Sequence, residues 1–273
     1  MEEIILRFPH LAEDTFQNLN NEGLVKCREG GRLWKNFIDE RNYPWIRIVN
    51  IPTILKDKTT YLHLAARTGQ INMVEKILKN SVEFGIDLNS KCSSGLTAFH
   101  DTVITPNAKI ADIFIKNYHD LKIELNSKCK MGRTAFHYAC MYGEREIAEN
   151  LVKNSKNIKM ELNSKNIYGC TPFHSSCILN RANIVEMMIS NSAFCNFDFT
   201  AKNLDEKNGF QIACRFGHKE IVEIIIRNSK SVDFDLIAQD KNGDTGFQLA
   251  EKFGYSHYSN IISIIKAERP DIT

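Results

Sequence analysis

An all-α solenoid of stacked helix pairs is the fold that three features of this 273-residue sequence predict. The first is a tetrapeptide. Thr60-Tyr-Leu-His63 returns as Thr97-Ala-Phe-His100, Thr134-Ala-Phe-His137 and Thr171-Pro-Phe-His174, each 37 residues after the last. In the same register it decays to Asn208-Gly-Phe-Gln211 and Thr245-Gly-Phe-Gln248. The second is a pair of glycine positions: Gly95, Gly132, Gly169 and Gly243 two residues before the Thr, and Gly69, Gly143, Gly217 and Gly254 nine after it. The third is apolar i, i+3, i+4 spacing after the second glycine, as in Ile71, Val74, Ile77 and Leu78, or Ile221, Ile224 and Ile225. One such copy cannot bury its own apolar face, so six copies in one register imply stacking on neighbours.

Each copy reads in order as turn, helix, turn, helix. The glycine before the Thr suits a positive φ, and the Thr suits an N-cap. The first helix is short and ends at the second glycine; the second helix carries the apolar stripe. Copies two and four depart, with Pro106 and Asn180 in place of the inter-helix glycine. Proline fixes φ and removes a donor, so the turn at Pro106 is expected to shorten or kink. Upstream of each Thr, Asn89-Ser-Lys91, Asn126-Ser-Lys128 and Asn163-Ser-Lys165 keep the period, and Thr200-Ala-Lys202 decays from it.

These residues resemble the ankyrin repeat, whose signature is a Gly-x-Thr-Pro-Leu-His start and a glycine between the helices. The Pro survives only in Thr171-Pro172, Phe replaces Leu in five of six copies, and the 37-residue period adds about four residues after the second helix. The resemblance covers roughly residues 56–271. Residues 1–55 lack the period and resemble the F-box, a three-helix module that joins substrate receptors to cullin-type ubiquitin ligases through a Skp-family adaptor. Phe8-Pro9, Phe16, Leu19, Leu24, Cys27-Arg28, Trp34, Phe37 and Trp45 fall on its pattern, while Gly30-Gly31 depart from it. The resemblance implies adaptor contacts at Pro9, Leu11, Leu24, Trp34, Phe37 and Trp45.

The recurring His63, His100, His137 and His174 invite a metal reading. Neighbouring copies stack about 10 Å apart, whereas zinc needs its ligand nitrogens at about 2.0–2.1 Å. Hydrogen bonding within the turn of the same or the next copy is therefore preferred. Cys140, Cys177 and Cys214 share one position and read as small core residues; Cys92 and Cys129 lie in turns and are expected to be more exposed. The Lys91, Lys128, Lys165, Lys202 ladder reads as a solvated face, and Asn89, Asn126 and Asn163 as stabilisers of their own turns. No phosphate loop, nucleophile elbow or zincin motif occurs, and no insertion is left over to build a closed pocket. No catalytic, metal or cofactor site is expected, and the chain is not read as an enzyme.

Ankyrin proteins bind partners with the residues flanking the turn glycine and those before the inter-helix glycine. Carried over, the resemblance implies a concave client surface of Met131, Arg133, Met141, Tyr142, Ile167, Tyr168, Leu179, Arg215 and Phe216, rich in types enriched at interfaces. The charge balance, 35 Lys+Arg against 33 Asp+Glu, gives no ground for a nucleic-acid footprint. No apolar run reaches the ~18 residues of a membrane span. The acidic Met1-Glu2-Glu3 start and eight scattered cysteines suggest an intracellular protein, cytoplasmic or nuclear, with reduced thiols. Two function classes remain open: a receptor that delivers a client to a ubiquitin ligase through residues 1–55, or a scaffold or inhibitor whose N-terminal helices only cap the solenoid.

Overall fold

The computed structural model describes residues 58–253 apart from Phe84. The F-box-like segment, with Pro9, Leu11, Leu24, Trp34, Phe37 and Trp45, lies outside the described residues, as does Gly254 with the second helix of the last copy. The described residues are all-helical and contain no strand. The chain divides into two compact units, Met1–Glu124 and Leu125–Thr273.

The first unit contributes two helix pairs: α1 (Tyr61–Arg67) with α2 (Ile71–Asn80), and α3 (Ala98–Ile104) with α4 (Ala108–Asn117). First helix packs on first helix and second on second, α1 against α3 and α2 against α4. Val74, Ile77, Val103, Ile110 and Phe114 are fully buried between them, and the Phe99 and Phe114 rings meet at 5.7 Å. Arg67 reaches the buried Asp101 at 3.2 Å. Copy two shows what a proline does to the inter-helix turn. Pro106 holds Thr105 in extended backbone (φ −110, ψ 92), yet α3 ends at Ile104 in the same register as the copy-one helix at Arg67, so the turn is altered and the helix is not shortened. Asn107 then caps α4, its Oδ1 accepting from the Ile110 amide at 3.2 Å.

The second unit holds α5 (Ala135–Tyr142) with α6 (Arg145–Lys153), α7 (Pro172–Ile178) with α8 (Ala182–Ser190), α9 (Gly209–Phe216) with α10 (Lys219–Asn228), and α11 (Gly246–Lys252). The first helices form the row α5–α7–α9–α11 and the second helices the row α6–α8–α10. The connections after the second helices return aromatic residues to this core. Phe173 of α7 meets Phe199 edge-on at 4.9 Å, and Phe199 meets Phe234 at 4.9 Å. Phe199 and Phe234, which follow the second helices of copies four and five, thus extend the core.

Positive φ recurs two residues before the Thr position in every copy: Gly95 (79), Gly132 (68), Gly169 (71) and Gly243 (81), but also Lys58 (62) and Glu206 (57). The turn is kept where the glycine is not. Asn180 likewise holds φ 54 where other copies have the inter-helix glycine, in keeping with the tolerance of Asn for the left-handed region.

Candidate functional site

The first helices of the described copies are capped in the same way. In copies one to four the Thr is the N-cap and the His three residues on completes a capping box. The Thr backbone N–H donates to the His Nδ1 at 3.1–3.3 Å in all four. A backbone amide can only donate, so Nδ1 is bare and Nε2 carries the proton. That Nε2–H reaches the next copy: His63 to the Leu96 carbonyl at 2.9 Å, His137 to Cys170 at 3.1 Å and His174 to Lys207 at 3.0 Å. Gln does the same in copy five, where Gln211 Oε1 accepts from the Asn208 amide and Nε2 donates to the carbonyls of Ala238 and Asp244. Each of these side chains thus caps its own helix and ties down the next turn. Burial disfavours the imidazolium, and the His174 pKa is lowered from 6.5 to about 4.

The turns are tied forward by further bonds, and here two sequence readings are corrected. Asn89, Asn126 and Asn163 brace the following turn rather than their own. Asn126 Nδ2 donates to the Lys159 carbonyl at 2.9 Å while its Oδ1 accepts from the Glu161 amide at 2.9 Å. Asn89 grips Lys122 and Glu124, and Asn163 grips Asn196 and Asp198, in the same way. Cys92 and Cys129 are buried rather than exposed. They occupy the position at which Asn166, Asn203 and Asp240 staple their turns, each accepting two backbone amides through Oδ1. A side chain there points under the turn whatever its chemistry. Lys128, Lys165 and Lys202 are exposed, as expected of a solvated face, yet each Nζ donates to a carbonyl 37 residues ahead. Cys140, Cys177 and Cys214 are buried core residues whose thiol pKa values are pushed up by desolvation.

Of the nine residues assigned to the concave face, Tyr142, Ile167, Tyr168, Leu179 and Phe216 are exposed large hydrophobics, between 39% and 52% accessible. Met131, Arg133, Met141 and Arg215 are half-buried. Six of the nine line one cavity of about 400 Å³: Arg133, Met141, Tyr168, Leu179, Arg215 and Phe216. Met131, Tyr142 and Ile167 are not part of its lining. Tyr142 instead stacks on Tyr138, with ring centroids 6.1 Å apart.

Sequence reasoning missed three features of this cavity: Ser175, Ile212 and the charged floor. Ser175 and Ile212 share the position after the capping residue, where the copies read Leu64, Asp101, Tyr138, Ser175, Ile212 and Leu249. The drop in side-chain volume at Ser175 was the available signal. The floor carries Lys207, whose ammonium is buried against the Asp240 carboxylate at 2.7 Å. Burial alone would raise the Asp240 carboxyl, but Lys207 and two backbone amides outweigh it and hold it below the usual carboxylate range. At the rim, Lys241 hydrogen-bonds Asp205 and holds that carboxyl low as well. Among the described residues no cluster of His, Cys, Asp or Glu could hold a metal ion, and no helix is long and apolar enough to cross a membrane.

No curated protein matches the chain. Residues 107–198 match the family model for ankyrin repeats, in three copies, and such repeats mark a module for protein–protein interaction.

Proposed function

We propose that the chain is a receptor that captures a client protein on the groove of copies three to five and, through its F-box-like residues 1–55, presents it to a cullin-type ubiquitin ligase. Six repeats over 56–271 are part of that reading, the last completed beyond Phe253. The observation that carries the client site is that Tyr168, Leu179 and Phe216, three of the exposed large apolar side chains among the described residues, surround one cavity. Apolar side chains left at the surface and gathered around a concavity are the usual mark of an interaction site. The ligase arm is supported by the Phe8-Pro9, Leu24, Cys27-Arg28, Trp34 and Trp45 pattern.

The test is a two-sided binding assay on the full chain. Replacing Tyr142, Tyr168 and Phe216 with Ala abolishes client capture from extract and leaves binding to a purified Skp-family adaptor unchanged. Trp34→Ala or Leu24→Ala does the reverse. If the intact protein binds no such adaptor, residues 1–55 only cap the repeats and the ligase arm falls. If the triple variant still captures the client, the site lies elsewhere.

A further inference from the structure

The sequence holds two Asn-Gly pairs, Asn208-Gly209 and Asn242-Gly243. In such a pair the glycine nitrogen can attack the asparagine Cγ, because no Cβ on the glycine crowds the approach. A C–N bond forms, and the glycine N–H proton and the side-chain NH2 leave together as ammonia. The succinimide ring that remains is opened by water at either carbonyl. One opening gives aspartate, and the other gives isoaspartate, with the main chain lengthened by a methylene. No oxidant, metal or second protein is needed. The rate turns on how freely the side chain can swing onto the nitrogen that follows it.

The fold treats the two pairs differently. Asn208 is the buried N-cap of α9. Its Oδ1 accepts from the Gln211 amide at 2.9 Å, and its Nδ2 donates to the Asp235 carbonyl at 2.7 Å. Gly209 lies in the joint between copies, where an added Cβ would run into the Phe173 ring. Attack at Asn208 therefore requires undoing a helix cap. Asn242 and Gly243 are exposed at the turn of copy six, and the Asn242 side-chain amide has no partner among the described residues. Earlier turns are covered by the turn that follows. A Cβ at Gly132 would meet the Ile167 nitrogen at 2.9 Å, and one at Gly169 the Leu204 nitrogen at 2.9 Å. A Cβ at Gly243 would meet nothing within 4 Å. The turn is held by the Gly243 amide on the Asp240 carbonyl at 2.9 Å and the Lys241 amide on the Asp205 carbonyl at 3.3 Å. Exposed turn bonds of this kind open at less cost than a buried cap.

We propose that Asn242 is a site of spontaneous covalent modification, losing its amide nitrogen through a succinimide with Gly243, while the fold protects Asn208. The lengthened isoaspartyl link shifts the amides of residues 242 and 244, which both donate to Asp240 Oδ1, at 2.8 and 3.1 Å. Asp240 is also the counter-ion of the buried Lys207 at 2.7 Å. A slow change at the surface thus loosens the joint of copies five and six.

The test ages the full chain at mildly alkaline pH and body temperature, beside a sample held unfolded in urea. Peptide mapping by mass spectrometry reads the conversion of each amide to acid, and enzymatic methylation of isoaspartyl carboxyls reads the lengthened link. In the folded sample Asn242 converts at least about tenfold faster than Asn208, and in urea the two rates converge. The product at position 242 contains isoaspartate, and the aged chain melts lower than an Asn242→Ser chain aged beside it. Serine is what copy two carries at this position, as Ser94. Four results overturn the inference: Asn242 intact when Asn208 of the urea sample has converted, equal rates at both sites in the folded chain, aspartate as the sole product, or a converted chain that melts no lower than the aged Asn242→Ser chain.

Discussion

Replacing His174 with Gln separates the capping role of this side chain from its titration. In the folded chain its pKa is about 4, set mainly by burial, against about 6.5 when unfolded. Between those values the unfolded chain binds a proton that the folded one refuses, so stability falls as pH drops. The slope approaches 1.4 kcal/mol per pH unit, and about 2 kcal/mol is lost between pH 7.5 and pH 5 from this group alone. Gln makes the same bonds without titrating. Gln211 accepts from its N-cap amide at 3.0 Å and donates to the next copy at 2.9 and 3.0 Å. His174→Gln is therefore expected to unfold within about 1 kcal/mol of wild type at pH 7.5 and to be the more stable of the two at pH 5. Urea unfolding followed by circular dichroism at pH 7.5, 6 and 5 measures both. Asp205 and Asp240 are held below the usual carboxylate range, so their contributions are lost only below this window. Parallel pH dependence in the two proteins would refute the argument, because the difference between them isolates one imidazole.

Three further substitutions probe the joints between copies. Asp240→Asn leaves Lys207 buried without its counter-charge and should cost about 3–5 kcal/mol, whereas replacing both with apolar residues of similar volume should recover most of it; a loss under about 1 kcal/mol for the single variant contradicts this. Glu206→Gly relieves a left-handed residue at φ 57, worth about 1–2 kcal/mol against up to about 1 kcal/mol of added chain entropy, and a small rise in melting temperature is the expected outcome. Asn126→Ala removes the bonds to Lys159 and Glu161, costing about 1 kcal/mol. The direct readout is faster hydrogen exchange at the Glu161 amide with the Ile110 amide unchanged.

The frame of the molecule was legible because its local signals are strong. The Thr caps, the glycine turns and the apolar stripes of the second helices each follow from a rule that needs no partner, and they are found where expected among the described residues. What could not be read depends on where the next copy falls. Nothing in Asn126 distinguishes a bond to its own turn from one to the turn ahead. Cys129 looked exposed because turns are exposed, yet its position points under the turn, as Asn166 and Asp240 show. The side chain of Glu206 gives no hint of a left-handed backbone; only its register with the turn glycines does, and the local turn keeps it, the Glu206 amide donating to the Asn203 carbonyl at 3.0 Å. The nine residues proposed for a client surface were chosen by type and position, and six of them line one cavity; Ser175, which also lines it, becomes conspicuous only by comparison across copies.

The forward bonds also bear on how such a chain can change over generations. His63, His137, His174, Asn89, Asn126, Asn163, Lys128, Lys165 and Lys202 all spend their reach on main-chain atoms of the following copy. A main-chain carbonyl is present whatever residue carries it, so a neighbour can mutate freely, or be duplicated or exchanged, without a matched change on the other side. Two junctions are different: between copies one and two Arg67 meets the buried Asp101, side chain to side chain, and a second such junction joins copies five and six. There Lys207 meets Asp240 and Lys241 meets Asp205, side chain to side chain, and one of these pairs is buried. A recombination that broke that junction would strand a charge. The general-purpose joints invite reshuffling and these dedicated ones resist it, the second of them holding the Lys207 floor of the cavity in fixed company.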